Sequence, residues 1–69
     1  MKVSETTIIK VLVNLKSLGY MGRCVRSLSP KEKGEIIETL YKRGWIDESA
    51  TPTLEAMPII MENLHLCEK

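Results

Sequence analysis

Few residues in this 69-residue chain could do chemistry. General acid–base catalysis needs a titratable group placed to exchange a proton, and the sequence offers one histidine, His65. His65 and Cys67 are two positions apart, a spacing that points helical side chains in nearly opposite directions, so the pair cannot chelate one metal ion. No serine has the partners of a catalytic triad, and Gly19 and Gly22 alone do not make a phosphate-binding loop. The sequence therefore predicts no enzyme activity, no metal site and no cofactor.

Cations are the one set of side chains that could bind a large partner. The formal net charge is only +1, but residues 1–46 hold nine Lys and Arg against four acids, whereas residues 47–69 hold one Lys against five. Such a division could direct a basic surface toward a polyanion, or bring two copies of the chain together head to tail. The basic set comprises Lys16, Arg23, Arg26, Lys31, Lys33, Lys42 and Arg43.

Length and composition indicate one small helical domain over residues 1–69, with ends that fray at about residues 1–3 and 67–69. A chain this short buries about 60% of its unfolded surface, so we expect a marginal core that gains from a partner, in the simplest case as a homodimer. Hydrophobic residues make up 43% of the chain without any Phe, so aliphatic side chains must form the interior. Two cysteines without a repeated spacing, and no secretion signal, predict reduced thiols and a cytoplasmic location. No apolar run is long enough for a membrane span.

Three helices must position the cations. The first is predicted from Ser4, which can cap it, to about Leu18, just before Gly19. Ile9 and Val13 fall outside its main apolar stripe, so this helix is either covered on more than one side or meets another subunit. Its β-branched content leaves a buried strand as a further alternative. The main stripe consists of Ile8, Val11, Leu12, Leu15 and Leu18.

The second helix has the clearest signals. Ser29 is a capping residue, Pro30 suits the first helical position, and Glu32 completes a capping box. Gly44 marks the end, directly after Arg43. Its predicted buried side consists of Ile36, Ile37, Leu40 and Tyr41. The aromatic residues Tyr20, Tyr41 and Trp45 are predicted to be core or interface anchors rather than platforms that stack on bases.

Two segments are ambiguous. Residues 23–28 predict either a single helical turn or an extended connector, with the arginines outward and Cys24, Val25 and Leu28 inward. Pro58 either kinks a third helix that begins near Thr53, or opens a shorter one that runs to about Cys67 and frees residues 51–57 for a strand. The predicted apolar face of that helix consists of Leu54, Met57, Ile60, Met61 and Leu64.

The order of these elements resembles a winged helix-turn-helix DNA-binding domain over roughly residues 5–66. The resemblance rests on Leu-Ser-Pro-Lys-Glu-Lys at 28–33, which opens the second helix, and Lys-Arg-Gly-Trp-Ile-Asp at 42–47, which closes it. It implies a mainly α fold with three principal helices, a small two-stranded wing between Trp45 and Met57, and a homodimeric transcriptional regulator that binds duplex DNA. The residues implied to contact bases are Lys31, Glu35, Thr39 and Lys42, and those implied to contact phosphates are Arg23, Arg26 and Lys33.

Two features favour a different function. The outward face of the second helix carries opposite charges four residues apart, which is typical of a solvated face, and the wing segment between Asp47 and Met57 holds three acids and no cation. The alternative is a helical adaptor or inhibitor that binds another protein through an apolar strip. The anchors of that strip would be Ile9, Val13, Ile59 and Leu66, with four adaptable Met side chains in support.

Overall fold

The computed structural model describes residues 3–68 and contains three α-helices. They are α1 (Glu5–Ser17), α2 (Pro30–Lys42) and α3 (Met57–Glu62), with 3₁₀ turns at Arg23–Val25, Leu54–Ala56 and Leu64–Leu66. The predicted mainly helical class is therefore confirmed. Within residues 3–68 no helix is long and apolar enough to cross a membrane. The predicted fraying at residues 1, 2 and 69 falls outside the described part of the chain.

Helix α1 is the centre of the molecule. It contacts α2, α3 and the first and last 3₁₀ turns, so the prediction of a helix covered on more than one side is confirmed. The prediction that Val13 lies on an exposed strip is wrong: its side chain is 0% exposed, because neighbours surround this part of α1 on all sides. The buried core consists of Ile8, Val11, Leu12, Val13, Val25, Ile36, Leu40, Ile46, Ala56 and Ile60.

Helix α2 begins as its sequence predicts. The Ser29 hydroxyl accepts the Glu32 N–H at 3.2 Å, and the Ser29 N–H donates to Glu32 Oε1 at 2.9 Å, which completes the capping box. Gly44, with φ of +77°, ends the helix. Leu40 is buried as predicted, but Tyr41 is 53% exposed because the next position on a helix is turned about 100° away.

The segment after α2 forms a tight turn in place of the predicted wing. The Asp47 carboxylate accepts the N–H groups of Ser49 at 2.8 Å and Thr51 at 3.0 Å, so a side chain satisfies amides that a second strand would need. A single antiparallel bridge, between Ile46 and Pro52, closes the turn. No β-strand is formed anywhere in residues 3–68.

Pro58 opens α3 rather than kinking a longer helix, because it lies in the first turn, where its missing N–H is tolerated. Residues 51–57, which this alternative could have freed for a strand, contain a 3₁₀ turn instead. The predicted apolar face of one continuous helix is not formed, and three of its five residues are exposed. Leu54, Met61 and Leu64 are 86%, 65% and 45% exposed. The chain changes from 3₁₀ to α geometry and back to 3₁₀, so these side chains do not keep the angular spacing around the axis that one continuous helix would give them.

Candidate nucleic-acid interface

Three of the cations lie beside carboxylates that neutralise them. Lys10 Nζ is 3.5 Å from Glu68, and Lys42 Nζ is 3.4 Å from Glu38. Arg43 makes a two-pronged contact with Glu5 on α1, at 2.5 and 2.9 Å, and its guanidinium lies 5.0 Å from the centre of the Trp45 ring. These contacts leave less of each charge available to a polyanion.

The remaining described cations belong to one continuous stretch, residues 16–33, which we call the basic segment. Its members have no ion pair with any of the described acids, and all except the half-buried Lys33 are exposed. They are Lys16, Arg23, Arg26, Lys31 and Lys33. The segment contains one acid, Glu32, whose carboxylate accepts the Ser29 N–H. The basic segment therefore carries an excess of free positive charge.

Helical geometry explains where these cations lie. Lys16 is in the last turn of α1, where a positive charge suits the helix dipole, and Lys31 and Lys33 are in the first turns of α2. Between them, the 3₁₀ turn at Arg23–Val25 buries Val25 and leaves Arg23 and Arg26 exposed, as predicted. The turn thus resolves the ambiguity of this segment in favour of a helical connector.

A buried amide, Asn14, fixes the loop in the middle of the basic segment. Asn14 is 0% exposed; its Nδ2 donates to the Met21 carbonyl at 3.0 Å, and its Oδ1 accepts the Glu68 N–H at 3.0 Å. Sequence reasoning missed this residue. The signal was an amide between Val13 and Leu15, since a polar side chain among apolar neighbours on a central helix must find partners.

Glu68 joins the same cluster through its carboxylate. Desolvation opposes its ionisation, but the hydrogen bond from the Arg23 N–H, at 2.5 Å, and the positive charge of Lys10 outweigh that effect and lower the pKa of Glu68. Burial, followed by the nearby Glu68 carboxylate, raises the pKa of the Cys24 thiol. Cys24 therefore stays protonated, and its Sγ donates to the Met21 carbonyl at 3.6 Å.

Acid should destabilise the fold through Glu68 and Glu5. The Arg43 hydrogen bond lowers the pKa of Glu5, so the folded pKa values of both carboxylates lie below the ordinary value that they have in an unfolded chain. Their contribution is present above that pH and is lost as the pH falls through the folded values. We expect the urea midpoint to fall between pH 7 and about pH 3, and to fall less in Glu68→Gln. Equal falls in the two proteins would contradict this role of Glu68.

The residues predicted to contact bases divide into two groups. Lys31 and Glu35 are exposed in the N-terminal half of α2. Thr39 is half-buried, in a cleft with the ion-paired Arg43, and Lys42 is exposed but lies beside Glu38. The outward face of α2 therefore has its free positive charge at the N-terminal end.

The residues predicted to anchor a protein partner are not the most exposed apolar ones. Ile9, Ile59 and Leu66 are half-buried, and the first two pack against the core. Sequence reasoning assigned Leu54, Met61 and Leu64 to the apolar face of a third helix, and their exposure makes them the more accessible set. Tyr20 and Tyr41 are also more than half exposed, and only Trp45 is half-buried, as a core anchor would be.

Metal-ligating side chains do not gather in the described residues: no group of three or more His, Cys, Asp or Glu there could hold an ion. The arrangement that remains is an exposed basic segment held in place by a buried polar cluster. Comparison of the chain with known protein families, with characterised proteins and with solved structures finds no match.

Proposed function

We propose that the protein is a small DNA-binding regulator of the helix-turn-helix type. The observation that supports this best is the basic segment, in which five cations without ion-pair partners among residues 3–68 lie within 18 consecutive positions. Phosphates attract such cations independently of base sequence, and the release of counterions from DNA supplies much of the affinity.

In this proposal the N-terminal half of α2 enters the major groove. Lys31 and Glu35 are the exposed side chains there that could contact base edges, while Thr39 and Lys42 lie farther along the helix. Arg23 and Arg26 precede that end of α2 in the chain, Lys33 lies in its first turns, and all three would contact phosphates. This division matches the usual docking of a recognition helix, whose first turns approach the bases.

The turn after α2 does not act as a wing in this proposal. Its Asp47 carboxylate holds the turn closed, and Glu48 at its tip is exposed, so the turn presents negative charge. Phosphate contacts then come from the basic segment alone. Self-association belongs to the proposal, because two copies could occupy two half-sites and because Tyr20 and Tyr41 remain exposed in a single chain.

Neutralising two free cations should weaken DNA binding and its dependence on salt. For Arg26→Gln combined with Lys31→Gln, we expect the slope of log affinity against log salt to become shallower by about 0.9 for each phosphate that the variant no longer neutralises. The measurement is the fluorescence anisotropy of a labelled DNA duplex, titrated with protein at several salt concentrations.

The matched control for this experiment is Lys42→Gln. It removes a cation from the same helix, but one that already lies 3.4 Å from Glu38, so its effect on affinity should be smaller. The proposal fails if wild-type protein does not bind the duplex at low salt. It also fails if the affinity of the double variant falls no further than that of the control.

The exposed apolar side chains favour a second function, the binding of another protein. Leu54, Met61 and Leu64 lie on the C-terminal helical segment, and flexible Met side chains suit surfaces that adapt to a partner. Amide NMR shifts during a DNA titration separate the two functions. Shifts confined to residues 20–43 would favour the regulator, and no shifts at low salt would leave the binding of another protein as the better proposal.

A further inference from the structure

A shallow groove of about 610 Å³ runs between α2 and the turn at residues 47–52. Its floor and walls are mainly apolar and are provided by Ile37, Tyr41, Ile46 and Ala50. Tyr41 is 53% exposed in this position although it is the largest side chain of the groove. The groove is therefore an apolar surface that the described chain itself leaves uncovered.

Gly34 lies on the α2 side of this groove, and nothing inside the molecule requires a glycine there. Its backbone is not in the left-handed region, and a Cβ atom at this position would meet no heavy atom within 4 Å. A glycine inside a helix costs about 1 kcal/mol relative to alanine. The absence of a side chain does, however, leave α2 open to close approach by a partner.

The rim of the groove is acidic. Glu38, Asp47 and Glu48 line it together with Lys33; Lys42 lies 3.4 Å from Glu38, so Asp47 and Glu48 are the rim carboxylates without an ion pair among the described residues. An apolar groove with such a rim is complementary to an apolar or aromatic side chain that has cations on both sides.

The chain presents that complementary feature itself. Tyr20 is 58% exposed in the loop after α1, with Lys16 before it and Arg23 after it in the basic segment. Tyr20 lines a separate cleft, with Arg23, Cys67 and Glu68, and no residue of that cleft belongs to the groove. One molecule could therefore use both surfaces at once.

We propose that the groove between α2 and the 47–52 turn binds Tyr20 of a second copy of this chain, with the cations beside Tyr20 facing the acidic rim. The contact joins two different surfaces, so each added copy exposes a fresh groove or a fresh Tyr20, and assembly continues into a ring or a filament. The inference does not rest on DNA binding, and its test contains no nucleic acid.

Sedimentation equilibrium tests the contact directly. For the wild-type chain we expect the average mass to rise above the monomer value of 7.8 kDa and past that of a dimer as concentration approaches about 1 mM, and to fall back as salt screens the charges. Two variants should remain monomeric: Tyr20→Ser, which removes the ring, and Gly34→Gln combined with Glu48→Lys, which obstructs the groove and reverses a rim charge. Both alter exposed positions, and circular dichroism checks that they fold.

Mixing the two variants gives the sharpest outcome. The first retains an intact groove and the second retains an intact Tyr20, so an equimolar mixture should form one contact per pair and stop at a dimer. Leu54→Gln is the control, because it removes the most exposed apolar side chain outside both surfaces and should assemble like the wild type.

The inference is overturned if the wild-type chain stays monomeric over the whole concentration range. It is also overturned if the two variants assemble as well as the wild type does, or if their mixture shows no dimer. Failure of Leu54→Gln to assemble would assign the contact to the C-terminal segment and would equally overturn it. None of these results depends on whether the protein binds DNA.

Discussion

Replacing Gly22 by alanine should destabilise the fold by about 3–5 kcal/mol, enough to unfold a large part of a marginally stable small domain. Gly22 has φ of +88° and ψ of 179°, a backbone region that is essentially restricted to glycine and costs an L residue about 1–3 kcal/mol. A Cβ atom there would lie 2.2 Å from Nδ2 and 2.9 Å from Cγ of Asn14. Because the Asn14 side chain is buried, it cannot move aside without breaking its hydrogen bonds, and each break costs about 1–3 kcal/mol.

Gly19→Ala is the matched control for this prediction. Gly19 has nearly the same φ, +84°, but a Cβ atom there would meet nothing within 4 Å. The control should therefore show the cost of a positive φ without a clash, and the larger decrease of Gly22→Ala in urea unfolding should report the clash with Asn14 together with the extended ψ of Gly22. Equal decreases in stability would mean that the loop relaxes around the added methyl group and that the packing against Asn14 is not tight.

Replacing Asn14 by leucine should cost about 2–4 kcal/mol, although leucine is similar in size. The substitution leaves the Glu68 N–H without its side-chain partner and the Met21 carbonyl with only the weak Cys24 thiol donor, and polar groups that lose their partners away from water are expensive. Urea unfolding measures the decrease in stability. Asn63→Leu is the control, because Asn63 also donates to a backbone carbonyl, that of Ile59 at 2.7 Å, but from a half-exposed position.

The stability of Asn14→Asp should depend on pH, because the substitution places a carboxyl group in the same buried cluster. A carboxyl group there would be buried near Glu68, so its folded pKa would lie above its unfolded value. The stability that depends on its proton is present at low pH and is lost as the pH rises through the folded pKa. Relative to wild type, this variant should therefore recover stability in acid. A deficit that is the same at every pH would contradict this account of the cluster.

Signals that act within a few residues made much of the fold predictable from sequence. The capping box at Ser29 and Glu32 and the terminating Gly44 all lie where α2 begins and ends. At the start of α1, Ser4 is the predicted capping residue, and its hydroxyl accepts the Thr7 N–H at 3.2 Å. These contacts span at most a few positions, so residue types and spacing are sufficient to predict them.

Features that depend on contacts distant in sequence could not be predicted. The exposure of Leu54 and Met61 follows from breaks between 3₁₀ and α geometry, which a periodic pattern does not record. The turn at Asp47 replaced a wing because one carboxylate satisfies two amides, an outcome that composition alone does not distinguish from a hairpin.

The candidate interface, like the fold, was predictable only in part. Charge counting identified the basic set, but only the structure separates Lys42 and Arg43, which lie beside acids, from the free cations of the basic segment. The apolar groove could not be predicted because its walls come from α2 and from a turn whose shape the sequence did not indicate. Gly34 gave a local hint, as a glycine within an otherwise well-formed helix.

The hydrogen bond between Asn14 and Glu68 joins positions 54 apart in the chain, which bears on folding during synthesis. On the ribosome, α1 and α2 can meet once residue 42 has emerged, whereas the Asn14 amide still lacks one partner until residue 68 follows. Closing so long a loop is slow relative to forming a helix. In a nascent chain that pauses after residue 42 and before residue 68, α1 and α2 would be packed together while the Asn14 amide still lacked one hydrogen bond. Such a chain would be a better substrate for proteases than the finished protein.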